Sequence, residues 1–231
     1  MTLDKWENFK AEVIESVENS CRQLYRNNRN NLNIKNEDLA VKNYIILTNS
    51  TLKLCREKGF QAMSIRDLSR VSGLSLGALY YYFSSKDEII RFIHEQGHHL
   101  TQEMLTKKTS DFDSPVEKLH KAIEVHIMLS EVAPDWFFFF YMETKNLARE
   151  MRNIPVLSDI WVENFFAEIL LEGKKAGLFS FDNINLIAAA IKTLLHDWYI
   201  RRWRYRQKKI SMEQYINFVI SMIESYIKPG K

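Results

Sequence analysis

The side chains best placed to do chemistry lie on two short segments, SIRDLSRVSG and LSLGALYYYF, which run from Ser64 to Phe83. Ser64 is expected to cap a short helix, with Asp67 as the acidic partner of a capping box. Ile65, Leu68 and Val71 form the apolar face of that helix. Gly73 supplies the left-handed conformation of a tight turn. Ser75 then caps a second short helix whose Leu79 and Phe83 face inward, leaving Leu76, Gly77, Ala78, Tyr81 and Tyr82 outward. Small residues let a backbone approach DNA closely. Tyrosine hydroxyls donate to phosphate oxygens, and apolar groups touch thymine methyls. Two short helices crossed through such a turn make a helix-turn-helix, whose second helix enters a major groove.

Other reactive types are present without a pattern that organises them. His94 and His98 stand four apart with Glu95 and His99 nearby, a spacing that could chelate a metal. No matching third ligand is identifiable, so no metal site and no cofactor are expected. His120, His126 and His196 read as packing or surface residues. There is no glycine-rich phosphate loop, nucleophile elbow or selected triad, so no catalytic residue and no enzyme activity are expected.

Two further clusters need a place. Trp136 to Tyr141 is a run of six aromatic residues, which covers every side of a helix. It reads as core plus subunit interface, or as one wall of an apolar ligand cavity with Trp161, Phe165 and Phe166 opposite. The segment Asp197 to Lys209 is basic with interleaved aromatics, and reads as a nucleic-acid patch far along the chain from the motif or as a solvated helix end. Alternatively, Arg202 or Arg206 could hold an anionic ligand.

The elements that position these residues are helices. The chain has 231 residues with only 7 glycines and 4 prolines, too few turn formers for a many-stranded sandwich or barrel. Helical patterns are expected over about 3–25, 38–58, 86–108, 115–131, 134–151, 156–176, 183–206 and 211–227. Trp6, Phe9, Val13, Val17 and Leu24 mark the apolar face of the first, Thr2 is its expected cap, and residues 27–33 read as a linker. An all-α protein follows. Cys21 and Cys55 exclude a disulfide scaffold and fit a reducing compartment. With no membrane-length apolar run and no signal-peptide core, the expectation is a cytoplasmic chain without a membrane partner. Residues 42–108 carry 10 basic and 6 acidic groups, whereas 109–231 carry 16 of each, so the positive excess sits around the helix-turn-helix.

From Ser64 to Phe83, continued by Ser85-Lys86-Asp87-Glu88, the chain resembles the DNA-binding domain of the TetR family of bacterial regulators. Leu79-Tyr80-x-x-Phe83 followed by Lys86 is the most specific piece, and the resemblance is close over residues 40–100. It implies that Tyr80, Tyr82 and Lys86 lie near phosphates and that Ser64 and Arg66 make backbone or base-edge contacts. The chain departs from many relatives in lacking Lys or Arg at 76–78 and in carrying three consecutive tyrosines.

The expected organisation is a helical extension and linker over 1–36, a DNA-binding domain over 37–100 and an effector-binding and dimerisation domain over 101–231. The implied partners are a double-stranded operator, a second copy pairing through the last two long helices, and a small-molecule effector. Phe137, Phe140, Tyr141, Trp161, Phe165, Trp198 and Arg202 are the expected effector contacts. The implied activity is repression relieved by an apolar or acyl-coenzyme A-like ligand. The alternative effector is a neutral, drug-like compound sensed in an efflux-type response.

Overall fold

A computed structural model describes residues 3–29, 35–143 and 153–227. The described residues form helices and connecting turns, with no strand among them. The order is α1 (Leu3–Asn28), α2 (Glu37–Lys58), α3 (Ile65–Ser72), α4 (Leu76–Tyr82), α5 (Lys86–Thr109), α6 (Pro115–Val132), α7 (Pro134–Glu143), α8 (Asn153–Lys175), α9 (Ile184–Ile200), α10 (Arg202–Gln207) and α11 (Met212–Ile227). No helix of the described residues is long and apolar enough to cross a membrane. Contacts divide the chain into an N-terminal unit, residues 2–100 with 135–155, and a C-terminal unit, residues 101–134 with 156–231.

In the N-terminal unit, local chemistry sets the helix ends. Asn36 Oδ1 accepts from the Leu39 amide at 3.0 Å and starts α2. Gly59, at φ 79°, ends it by donating its amide to the Cys55 carbonyl at 2.8 Å. α1 lies along α2 and buries Phe9, Val13, Cys21 and Tyr25. Trp6, Val17 and Leu24, expected on the same stripe, are half-buried at its edge. Arg22 reinforces the seam by pairing with Glu37 at 3.2 Å and Asp38 at 2.9 Å. The expected Thr2 cap and most of the 27–33 linker lie outside the described residues.

Tyr44 of α2 centres the core beneath the motif. Its ring lies 5.0 Å from that of Tyr82, 6.0 Å from Phe83 and 5.3 Å from Phe92 of α5. Edge-on pairs of this kind add to the burial of their area. α7 contributes Trp136, Phe137 and Phe139 to the buried set of this unit. The aromatic run expected as one helix over 134–151 is described as α7 to Glu143, and its remainder lies outside the described residues.

In the C-terminal unit, α6 buries nine of its 18 residues, including every one from Val125 to Ser130, and packs on α9 and α11. Pro115 sits in its first turn, where a missing amide is harmless. The single helix expected over 183–206 is two, broken at Arg201. No proline or glycine marks the break. Tertiary contacts make it: the Tyr205 ring packs 5.2 Å from Trp198 and 4.8 Å from Tyr215, and Arg202 reaches Glu131 on α6.

Candidate nucleic-acid interface

The capping box expected at the head of α3 is formed. Ser64 Oγ accepts from the Asp67 amide at 3.1 Å, and Asp67 Oδ2 accepts from the Ser64 amide at 3.0 Å. Asp67 also pairs with Lys58 at 2.6 Å and Arg70 at 2.9 Å. The Lys58 ammonium, together with the Ser64 hydrogen bonds, holds the Asp67 carboxyl well below the usual carboxylate range. Lys58 was not among the expected site residues. Its place in the last turn of α2, just before Gly59, is the signal that could have found it.

Gly73 turns the chain at φ 73°, in the left-handed region, and donates to the Ser69 carbonyl at 3.0 Å. Ser69 Oγ donates to the Leu74 carbonyl at 2.6 Å and fixes the turn from inside. Ser75 Oγ accepts from the Ala78 amide at 3.2 Å and starts α4. Leu79 and Phe83 point into the core, as the spacing requires.

α4 presents Leu76, Tyr80 and Tyr81 outward, at 41%, 59% and 53% exposure. A Cβ placed on Gly77 would meet nothing within 4 Å, so that point of the surface is open to another molecule's approach. Ser64, Arg66 and Ser75 are exposed on the same motif, and Ala78 is half-buried.

Tyr82 differs from expectation. It is 6% exposed, packs edge-on against Tyr44, and its hydroxyl accepts from Asn43 Nδ2 at 2.7 Å. A third inward position on α4 exists because Tyr44 and Asn43 of α2 offer an aromatic face and a hydrogen-bond partner together. Two inward positions read from Leu79 and Phe83 alone could not reveal that. Burial raises the Tyr82 hydroxyl pKa, so the ring stays neutral.

Lys86 opens α5 beside this surface. Its Nζ donates to the Gln61 carbonyl at 3.1 Å and lies 4.3 Å from the centre of the Phe60 ring. The Lys86 stem is thereby packed against the loop before α3, and its charge is held at the edge of the motif. Ser85 Oγ accepts from the Glu88 amide at 3.1 Å and caps the start of α5. Beside α4 a groove of about 340 Å³ is lined by Leu24, Tyr44, Tyr81, Glu88, Arg91 and Phe92 among others.

The expected effector contacts fall on both units. Phe137 is buried and Tyr141 is 43% exposed on α7 of the N-terminal unit, where Phe140 is half-buried. In the C-terminal unit Trp161 and Phe165 stack at 5.2 Å. Trp198 is fully buried between Tyr205 and Tyr215. Arg202 covers the Trp198 ring at 4.2 Å and pairs with Glu131 at 2.5 Å. An ionic cluster was not anticipated: the buried Lys192 Nζ bonds the carboxylate and carbonyl of the exposed Asp159, with His196 3.7 Å from the same carboxylate. Burial lowers the Lys192 pKa, opposed by Asp159. Among the described residues no group of three or more His, Cys, Asp or Glu could hold a metal ion.

A two-helix head capped in this way, carried on a helical body, defines a helix-turn-helix DNA-binding regulator. Residues 47–92 match the family described as bacterial regulatory proteins, tetR family, and residues 113–223 match the tetracyclin repressor-like C-terminal domain. The chain belongs to the TetR family of transcriptional regulators. It is 20% identical over 170 residues, 74% of each chain, to the HTH-type transcriptional regulator HbdR of Aromatoleum sp. (strain CIB). Its fold is similar to that of AibR in complex with isovaleryl coenzyme A and operator DNA, with a TM-score of 0.69 and 17% identity over 81% of this chain and 100% of that one. It is also similar to the TetR-family regulator PfmR from Thermus thermophilus, with a TM-score of 0.64 and 26% identity over 80% and 99% of the two chains.

Proposed function

We propose that this regulator is a cytoplasmic homodimeric repressor that occupies a palindromic operator and leaves it when a small effector binds. The reading assigns residues 37–100 to operator binding, 101–231 to effector response and dimerisation, and α1 to bracing the head. The observation that carries it is the outward face of α4, where Leu76, Tyr80 and Tyr81 stand exposed beside open space at Gly77. Apolar and aromatic side chains left in solvent on a helix of this motif fit contact with thymine methyls and phosphates. Ser64 and Arg66 would join from the head of α3, and Lys86 from the start of α5.

Dimerisation is proposed through α9 and α11. Leu186, Phe218 and Met222 are 68%, 56% and 41% exposed there, whereas Tyr215, Val219 and Ile223 are buried within the C-terminal unit. The apolar face left for a partner is therefore narrower than the whole apolar content of these two helices.

The effector is proposed to be an apolar or acyl-coenzyme A-like molecule contacting the aromatic residues of α7, Phe137, Phe140 and Tyr141. AibR, of similar fold, is in complex with isovaleryl coenzyme A. One observation favours the neutral, drug-like alternative: Arg202, the cation expected to meet an anionic end, is already paired with Glu131. The test begins with sequencing the DNA fragments retained by the purified protein. A palindrome with half-sites about 34–36 Å apart, or a multiple, is expected. Titration of the complex with isovaleryl and longer acyl-coenzyme A species, and with neutral aromatic compounds, then assigns the effector class. No enriched DNA would remove the operator-binding proposal, and enrichment that no compound reverses would remove the effector.

A further inference from the structure

His94 is 1% exposed on α5, and neither of its ring nitrogens has a hydrogen-bond partner among the described residues. A neutral imidazole offers one N–H donor and one acceptor, and burying both unpaired is costly. Aromatic rings pack against it instead. The rings of Phe139 and Phe140, from α7, each lie 4.9 Å from the imidazole centre. One turn along α5 comes Gly97, where a Cβ would stand 2.1 Å from Phe140 Cζ and 2.6 Å from Trp136 Cε3. Glycine at that position is what lets the α7 rings lie against α5. The seam is thus closely packed aromatic surface laid over an unpartnered polar side chain. Phe139 is fully buried, but Phe140 is half-exposed, so Phe140 is the wall that can swing away.

We infer that His94 is the polar anchor of a ligand site between α5 and α7, one that takes a flat apolar molecule bearing a single uncharged carbonyl in place of the Phe140 ring. The site lies within the N-terminal unit and rests on the proposal that α7 contacts the effector. A carbonyl is the matching group because His94 stays neutral: burial lowers its pKa to about 4, so a carboxylate would meet no cation there. Flat apolar surface is the matching body because the displaced group is itself a phenyl ring. The position also reaches the reading head. Ile89, Ile90, Phe92 and Ile93 of the same helix are buried, and Phe92 lies 5.3 Å from Phe83 at the end of α4. A ligand that shifts α5 at His94 therefore acts on the helix against which α4 is packed.

The experiment uses the full chain without DNA and two probes of one shape, acetophenone and α-methylstyrene, which differ by an oxygen replaced with a methylene. Dissociation constants come from ligand-observed NMR titration, with thermal melts to establish folding. The wild-type chain should prefer acetophenone roughly three- to tenfold, the range of one neutral hydrogen bond. His94→Leu should abolish the preference, and His94→Gln, which keeps a donor, should restore part of it. Phe140→Ala should strengthen the binding of both probes and keep the preference, which provides a test even if the His94 variants fold poorly. Equal affinity for the two probes in wild type, or a preference untouched by His94→Leu, overturns the inference. So does Phe140→Ala leaving both affinities unchanged. Operator release is measured separately. A chain that binds the ketone through His94 but releases no DNA with any compound keeps this site and loses the proposed repressor switch.

Discussion

Asp67 Oδ2 lies 2.6 Å from Lys58 Nζ, so the carboxylate that closes the α3 capping box also ties α3 to the end of α2. One side chain thus serves a helix start and a helix–helix junction. Its lowered pKa sets the sign of the pH dependence. A depressed carboxyl stabilises fully above its unfolded value, near about 3.9, and loses that contribution as pH falls through the folded value. The head should therefore be insensitive to pH at neutrality and weaken only in acid through this group. Asp67→Asn should abolish that acid-side slope, as followed by urea melts at several pH values. Ser64→Ala should cost roughly 0.5–2 kcal/mol of unfolding free energy by removing the N-cap.

Lys86 and Tyr82 should behave differently in operator binding. Lys86→Ala is expected to weaken binding on every DNA sequence and to lower the slope of log affinity against log salt by about one. Tyr82→Phe removes only the hydroxyl held by Asn43, so its main effect should be on the melting temperature. Tyr81→Ala should change which sequences are preferred. Fluorescence-anisotropy titrations at several salt concentrations, on the selected palindrome and on scrambled DNA, separate these cases. A salt slope unchanged by Lys86→Ala would remove that residue from the phosphate contacts.

Much of this was legible in the sequence because the decisive features are local. Ser64, Asp67, Gly73 and Ser75 act on neighbours within a few residues, and each appears in the structure as its type and spacing require. What was not legible depends on distant partners. The inward turn of Tyr82 follows from Asn43 and Tyr44, about forty residues earlier in the chain. The break at Arg201 follows from Glu131 and Tyr215, on other helices. On α2, Ile45 and Ile46 are half-buried, while their neighbours Tyr44 and Leu47 are buried. A stripe of mixed apolar residues leaves its rotation about the helix axis open by one position, and packing decides it.

The N-terminal helix should be a structural part of the head. Phe9, Val13, Cys21 and Tyr25 are buried as α1 packs along α2 and Cys21 reaches Gln96 of α5. Burial also raises the Cys21 thiol pKa to about 12, so it should resist alkylation in the native state. Deleting residues 1–34 should lower the melting temperature, and Phe9→Ala alone should cost roughly 3 kcal/mol. Calorimetry of the truncated chain gives the answer. An unchanged melting temperature would mean that α1 contributes nothing to folding.

The dimer proposal narrows to side chains that stay exposed on α9 and α11. Phe218→Glu or Met222→Glu places a charge on that face without disturbing the buried Val219 and Ile223. Either should shift the chain from dimer to monomer in sedimentation velocity at micromolar concentration, with helix content preserved. Binding to a full palindrome should fall much more than binding to a half-site, because one dimer engages both halves.

Buried histidines add a pH dependence of the opposite chemical type but the same sign. His94 is held neutral by burial, with its pKa lowered to about 4 against about 6.5 when unfolded. A group that binds protons more readily in the unfolded state leaves stability intact above about pH 6.5 and removes it progressively down to pH 4. For His94 alone the loss across that window is on the order of 3 kcal/mol. His126 and His196, both lowered chiefly by burial in the C-terminal unit, add to the same slope. His94→Leu should therefore flatten the pH dependence without abolishing it and should hold or raise stability at pH 7, since two unpaired ring nitrogens leave the core. Urea unfolding of wild type and variant between pH 7 and pH 4.5 measures this. Parallel curves for the two proteins would mean that His94 is solvated or paired in the folded chain.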